Sequence, residues 1–150
     1  RRRGGGVERG IGQLPDGAGV LTGVCSVAHD GQLTWSAGYR YGAWIGMVMH
    51  VRRREIRGFM SVSPPANMYD FNFLAPCPSS GIIIQGVNDE VVTPSAVQKL
   101  VDKLRTQKHI TIHHDEIPRA NHFYENEMEL LMGSVDNYLD MRLAPDSPIK

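Results

Sequence analysis

An α/β fold, a parallel sheet with helices on both faces, is what this sequence predicts, and three observations predict it. Apolar runs of strand length recur near 33–38, 58–63, 81–86 and 110–116. Between and after them lie stretches with apolar residues at helical spacing. A turn flanked by glycines, Gly38-Tyr39-Arg40-Tyr41-Gly42, joins the first run directly to a helical one. Strand and helix alternate in this way when neighbouring strands run parallel, because each return needs a crossover.

The elements follow in order. Residues 1–32 are expected to form an irregular N-terminal segment. Residues 1–19 are rich in Gly and Arg and too poor in apolar residues for a buried strand. Gly10, Gly12, Gly17 and Gly19 do not make a phosphate loop, since no strand precedes them and G-K-[ST] is absent. Residues 20–32 read as a short helix interrupted by Gly23, with a turn at Asp30-Gly31. The domain proper is expected over 33–143. Strand 33–38 enters the glycine-flanked turn, and a helix follows from about Gly42 to Arg54. The cations Arg52, Arg53 and Arg54 in its last turn suit the negative end of the helix dipole. Strand 58–63 is stopped by Pro64-Pro65. A long connection follows, with a helical turn near Tyr69 to Leu74. Gly81 to Gly86 is continuously apolar and β-branched in its centre, as buried parallel strands are. Thr93-Pro94 opens a helix as N-cap and first residue, with Val97, Leu100, Val101 and Leu104 on one face. Strand 110–116 ends before Pro118. Helix 126–142 closes the domain, with Met128, Leu131, Met132, Val135, Leu139 and Met141 largely on one face, and 144–150 form a polar tail.

Composition bounds the function. The chain has 150 residues, with 41% apolar and 21% charged residues, which fits one globular domain. Formal net charge is zero, so there is no general attraction to nucleic acid or to an anionic membrane. No apolar run reaches the roughly 20 residues that span a bilayer. The basic start leads into glycines rather than an apolar segment, so no secretory signal is read and a cytoplasmic location is expected. Cys25 and Cys77 make no disulfide framework and are expected as reduced thiols. No cofactor and no metal are expected. His113 and His114 are adjacent on a strand and point to opposite faces, so one ion cannot take both simply; they and His109 read as exposed strand-end residues. Trp35 and Trp44 read as core packing.

Chemistry is placed by the order of the loops. Strand, glycine-flanked turn and helix together form the setting of a nucleophile elbow, in which the central residue is thrust out at the carboxyl edge of the sheet. That residue is Arg40, where G-x-S-x-G has serine. The loops after strands 81–86 and 110–116 carry Asp89 and His122. In an open parallel sheet all three loops meet at one edge. Elbow, acid, histidine is the order in which a carboxylate orients a histidine, and the histidine takes a proton from the nucleophile.

The motifs GYRYGAWIGM, SVSPPANMYDFNFLAPCPSSGIIIQGVNDEVVTP and IPRANHFYENEMELLMGSVDNYLD resemble the C-terminal half of the bacterial α/β hydrolases of the small, dienelactone-hydrolase-like group. The elbow of that group usually reads GYSFGAW. The resemblance runs from Trp35 to about Leu143, and Arg9 to Gly12 and Asp16 to Gly19 are similar to an upstream loop of the same group. It implies Asp89 as triad acid, His122 as triad base, the Tyr41 backbone N–H as an oxyanion donor and Arg40 at the nucleophile position. It implies an acyl-bond hydrolase acting on an ester-like small molecule.

Departures from that pattern set the remaining expectations. A guanidinium stays protonated and cannot attack a carbonyl. The strands that begin the family's fold are expected to be lacking, and with them the loop that carries the second oxyanion donor, whose loss typically costs about a hundredfold or more in rate. An impaired hydrolase is therefore expected, or else a non-catalytic binding or structural remnant. Arg40 reads either as an inactivating substitution or as an anion-binding residue paired with Asp89. The triad mapping requires it within about 12 Å of His122. Ser36, Ser63 and Cys25 are the other candidate nucleophiles, none at an elbow. Strand 33–38 would present an apolar edge, and homodimerisation through it is expected unless residues 1–32 cover it.

Overall fold

The structure, a computed structural model, describes residues 12–15, 21–29, 33–40, 43–44, 47, 56–72, 77 and 79–147. Six strands form one sheet: β1 (Gly12–Pro15), β2 (Leu21–His29), β3 (Leu33–Tyr39), β4 (Ile56–Val62), β5 (Gly81–Gly86) and β6 (Ile112–Ile117), in the order β1-β2-β3-β4-β5-β6. β3 to β6 run parallel to one another, as the alternating sequence predicts. Two helices are described in full, α1 (Pro94–Arg105) and α2 (Met128–Leu143). Ala43, Trp44 and Met47 are also helical, after the turn that follows β3.

Residues 1–32 correct the sequence reading at two places. Gly12–Pro15 is a strand rather than a loop, and Leu21–His29 is a strand rather than a helix. β2 pairs antiparallel with β3 from Gly23 opposite Tyr39 to His29 opposite Leu33, and β1 pairs antiparallel with β2. Val24, Val27 and Thr22 favour the extended state, and pairing to an existing strand outweighs weak helix propensity. The same pairing corrects the expectation of a free apolar edge, because β3 is flanked by β2 on one side and β4 on the other. The cations Arg52 to Arg54 lie outside the described residues.

The two faces follow from the period-two alternation of side chains. On one face, Phe59 and Ile83 meet Met47 and the buried stripe of α1, Val97, Leu100, Val101 and Leu104. Each such side chain contributes about 1.5–3 kcal/mol on burial. On the other face, Trp35, Met60, Ile82 and Ile84 meet Leu131 and Tyr138 of α2. β5 is buried at every position, as its unbroken apolar run requires.

Finer details differ from the sequence reading. Thr93 holds the N-cap position of α1, but its side chain makes no capping hydrogen bond; its backbone carbonyl accepts from Ala96 and Val97. On α2 the buried line is Leu131, Ser134, Tyr138 and Arg142, while Met128 and Met132 are exposed. Arg142 reaches the core because its guanidinium is matched there. It donates to the Tyr138 hydroxyl at 2.6 Å and the Arg57 carbonyl at 3.2 Å, and lies over the Trp35 ring. A turn at 66–68, with Met68 and Tyr69 N–H on the Pro65 carbonyl, precedes the stretch from Tyr69 to Leu74 where a helical turn is expected; within it Asn72 is helical, and residues 73 and 74 lie outside the described residues. Trp35 and Trp44 both pack on the core, as expected: Trp35 is buried, and half-buried Trp44 lies against the α1-side cluster, contacts the Tyr69 ring and donates its indole N–H to the Asp70 carbonyl. No helix among the described residues is long and apolar enough to cross a membrane.

Cys77 sits in the α1-side core as a free thiol, and burial pushes its pKa from 9.0 up to about 11. A group that holds its proton more tightly when folded contributes stability that is complete below the unfolded pKa and lost as pH rises. Unfolding free energy should therefore fall between pH 9 and 11 in urea titrations, by on the order of 2 kcal/mol from this group. Cys77→Ala should make the fall shallower between pH 9 and 10. An unchanged slope would contradict the assignment.

Candidate active site

The turn after β3 has the backbone of an elbow. Arg40 is left-handed, at φ 57°. Its N–H continues the parallel ladder by donating to the Val62 carbonyl at 2.8 Å, and its own carbonyl accepts from Ala43 N–H at 2.9 Å. The chain thus passes from strand to helix within a few residues, and the Arg40 side chain sits at the carboxyl edge. Tyr41 lies outside the described residues, and its backbone N–H with it.

Asp89 and His122 come together from the loops after β5 and β6. The Asp89 carboxylate is buried, and its Oδ2 lies 2.8 Å from His122 Nδ1. Its Oδ1 accepts from the N–H groups of Val91 at 2.9 Å and Val92 at 2.8 Å. The carboxylate is therefore fixed by three partners before any ligand arrives. A carboxylate can only accept, so Nδ1 carries the proton, and a neutral imidazole keeps its basic lone pair on Nε2. This is the arrangement in which a histidine is oriented as a general base.

Arg40 is 5% exposed. Its Nη2 donates to the His122 backbone carbonyl at 3.3 Å, well inside the distance the mapping requires. It does not take up Asp89 in the way the sequence suggested, since that carboxylate is engaged by Val91, Val92 and His122. The guanidinium carbon lies 4.8 Å from the Tyr39 ring centre and 4.5 Å from that of Phe123. Two aromatic faces so placed stabilise a desolvated cation by roughly 0.5–2 kcal/mol each. Arg40 Nε is buried and has no hydrogen-bond partner among the described residues.

Tyrosines complete the site, and the sequence reading did not single them out as side chains. The Tyr39 hydroxyl donates to the same His122 carbonyl at 2.7 Å. Burial raises its pKa, and neighbouring Arg40 offsets part of that rise. Tyr124 is fully buried and shares a 2.9 Å hydrogen bond with Ser63 Oγ; burial pushes its phenol well above the ordinary range. Aromatic residues on both sides of the elbow arginine and directly after the histidine were the available signal. Of the other candidate nucleophiles, Ser63 is held by Tyr124, Ser36 is buried on β3, and nothing is described of the Cys25 side chain. His113 and His114 are half-buried rather than exposed: His113 packs on Tyr138 of α2, and burial lowers both pKa values. Among the described residues no cluster of His, Cys, Asp and Glu could hold a metal ion.

A cavity of about 330 Å³ opens beside Arg40. It is lined by Tyr39, Arg40 and Tyr124 and by Met128, Leu131, Met132 and Val135 of α2.

An elbow at the end of a parallel strand, with an aspartate and a histidine joined on the next loops of the same edge, defines the α/β-hydrolase fold, and this chain has it. Solved structures similar to this chain include an α/β serine hydrolase and a candidate α/β hydrolase, both from bacteria. The chain is 52% identical to ATU1826 of Agrobacterium tumefaciens, a protein of unknown function given as a candidate α/β hydrolase, with a TM-score of 0.76 over 79% of this chain and 54% of that one. It is 28% identical to XC6422 of Xanthomonas campestris, an α/β serine hydrolase without a lid, with a TM-score of 0.63 over 76% of this chain and 49% of that one. A curated relative, the uncharacterized protein RP471 of Rickettsia prowazekii (strain Madrid E), is 38% identical over 136 residues, 88% of this chain and 57% of that one. The chain thus spans about half the length of the relatives it matches. No family model matches the chain.

The His122 loop rests on the end of β5. A Cβ at Gly86 would lie 2.5 Å from the Ala120 carbonyl oxygen, closer than any side chain can sit without the backbone yielding. Gly86→Ala should destabilise the chain by about 1–3 kcal/mol, as overpacking does. It should also shift the His122 ring resonances in NMR spectra while leaving those of His109 in place. Unmoved His122 signals would break this link between β5 and the loop.

Proposed function

We propose that this chain belongs to the α/β hydrolases, in their small dienelactone-hydrolase-like group, and keeps the acid and base of an acyl-bond hydrolase without a working nucleophile. The observation that carries the reading is Arg40, left-handed at the elbow centre and hydrogen-bonded to the residue that would be its base. With serine at position 40, His122 would take the hydroxyl proton as the oxygen attacked an ester carbonyl. Asp89 would hold the tautomer and stabilise the imidazolium. A guanidinium supplies neither an attacking lone pair nor a transferable proton near neutral pH. The His122–Asp89 pair then has nothing to activate, and the pocket can bind an ester-like small molecule without turning it over. Support comes from the Asp89–His122 geometry and from the likeness to XC6422, an α/β serine hydrolase. The alternative of a remnant that associates through the 33–38 edge has less behind it, because β2 covers that edge.

The test is p-nitrophenyl acetate hydrolysis by the wild-type chain, Arg40→Ser, and Arg40→Ser with His122→Ala. Only Arg40→Ser should turn over, and adding His122→Ala should lower its rate by about a hundredfold or more, the usual contribution of a general base. Wild-type activity equal to that of Arg40→Ser would refute the reading.

A further inference from the structure

Arg40 and the cavity beside it have a second chemical consequence, which holds whether or not serine at position 40 restores turnover. A guanidinium presents N–H donors in a planar fork that matches a carboxylate. In Arg40 this fork is buried at 5% exposure, Nη2 is engaged by the His122 carbonyl, and Nε is left without a partner among the described residues. A buried donor without an acceptor, on a buried cation, is costly, and an entering anion would relieve both deficits. Asp89 does not relieve them, because its two oxygens are held by Val91, Val92 and His122. Val62, Leu131, Met132 and Val135 give the cavity that Arg40 lines an apolar wall. Phe123 lies over the guanidinium, is half exposed and lines the same cavity.

We infer that this site binds a monocarboxylate with an unbranched apolar chain, its carboxylate on Arg40 and its chain along α2. The cavity of about 330 Å³ has the volume of about eleven waters at roughly 30 Å³ each, room for an unbranched ligand of about ten non-hydrogen atoms. Octanoate has that size. The cation selects the charge and the α2 wall selects the chain. A neutral chain of equal length satisfies only the wall, and a short carboxylate only the cation.

The experiment is a titration of the full chain with octanoate, octanamide and acetate, followed through [¹³C-methyl]methionine NMR spectra, in which Met128 and Met132 report on the cavity. Octanoate should shift both signals saturably and bind about tenfold or more tightly than octanamide, the margin a charge-assisted pair gives over a neutral one. Acetate should bind more weakly than octanoate. Arg40→Gln should abolish the preference for octanoate over octanamide. Met132 is half exposed, so Met132→Glu leaves the core intact and remains informative if Arg40→Gln does not fold; it should weaken octanoate several-fold by placing a like charge at the lip. Equal affinity for octanoate and octanamide, no saturable shift with octanoate, or an unchanged octanoate affinity in Met132→Glu would each overturn the inference. Esterase activity of Arg40→Ser answers the other question, so the two readings fail separately.

Discussion

Left-handed backbone at one edge of the sheet is the constraint on which the rest of this structure depends. Arg40, Ser63, Arg119 and Tyr124 have φ between 50° and 61°, and all four follow the carboxyl ends of β3, β4 and β6. Such a conformation costs a non-glycine residue roughly 1–2 kcal/mol, and it persists where surrounding contacts outweigh that cost. Here they do. The Arg40 N–H is held by Val62, the Ser63 N–H by Ile84 and the Tyr124 N–H by Asn121. Each turn re-aims the chain as it leaves the sheet. The elbow residue, the acid and the histidine can converge because β3 to β6 deliver their ends to the same edge.

The His122 carbonyl is where these turns meet. It accepts from Tyr39 and from Arg40, two neighbours on the elbow more than 80 residues earlier in the chain. The histidine ring is therefore fixed at both ends, at Nδ1 by Asp89 and through its backbone by the elbow. In a serine enzyme the second of these roles would fall to Tyr39 alone. Arginine at position 40 thus tethers the histidine loop from the centre of the elbow.

The parallel half of the fold was legible because its strands are strongly patterned. The run Ile82-Ile83-Ile84 and the Thr93-Pro94 helix start left little choice, and the order of loops was enough to bring Asp89 to His122. The antiparallel half was not legible. Leu21 to His29 has glycine and small residues among its β-branched ones, and its extended state is decided by β3 beside it rather than by its own periodicity. On α2, Met128 and Met132 match the apolar period, yet Tyr138 and Arg142 take the buried line because their polar tips find partners in each other and in the Arg57 carbonyl. The aromatic walls around Arg40 were hidden for a different reason. Tyr39 and Phe123 are adjacent in sequence to the candidate residues, but only the tertiary meeting of elbow and histidine loop turns them into a cation's surroundings.

The hairpin of β2 and β3 bears on how the chain acquires its structure. His29 pairs with Leu33, so this contact closes over very few residues, and hairpins of this kind form on a timescale of roughly microseconds. β3 to β4 and β5 to β6 are parallel and need long crossovers, whose closure is slower. The central strand therefore gains its first neighbour locally, before the crossovers have closed. During synthesis, β2 and β3 leave the ribosome ahead of β4, and the hairpin shields the apolar β3 while its parallel partner is still being made.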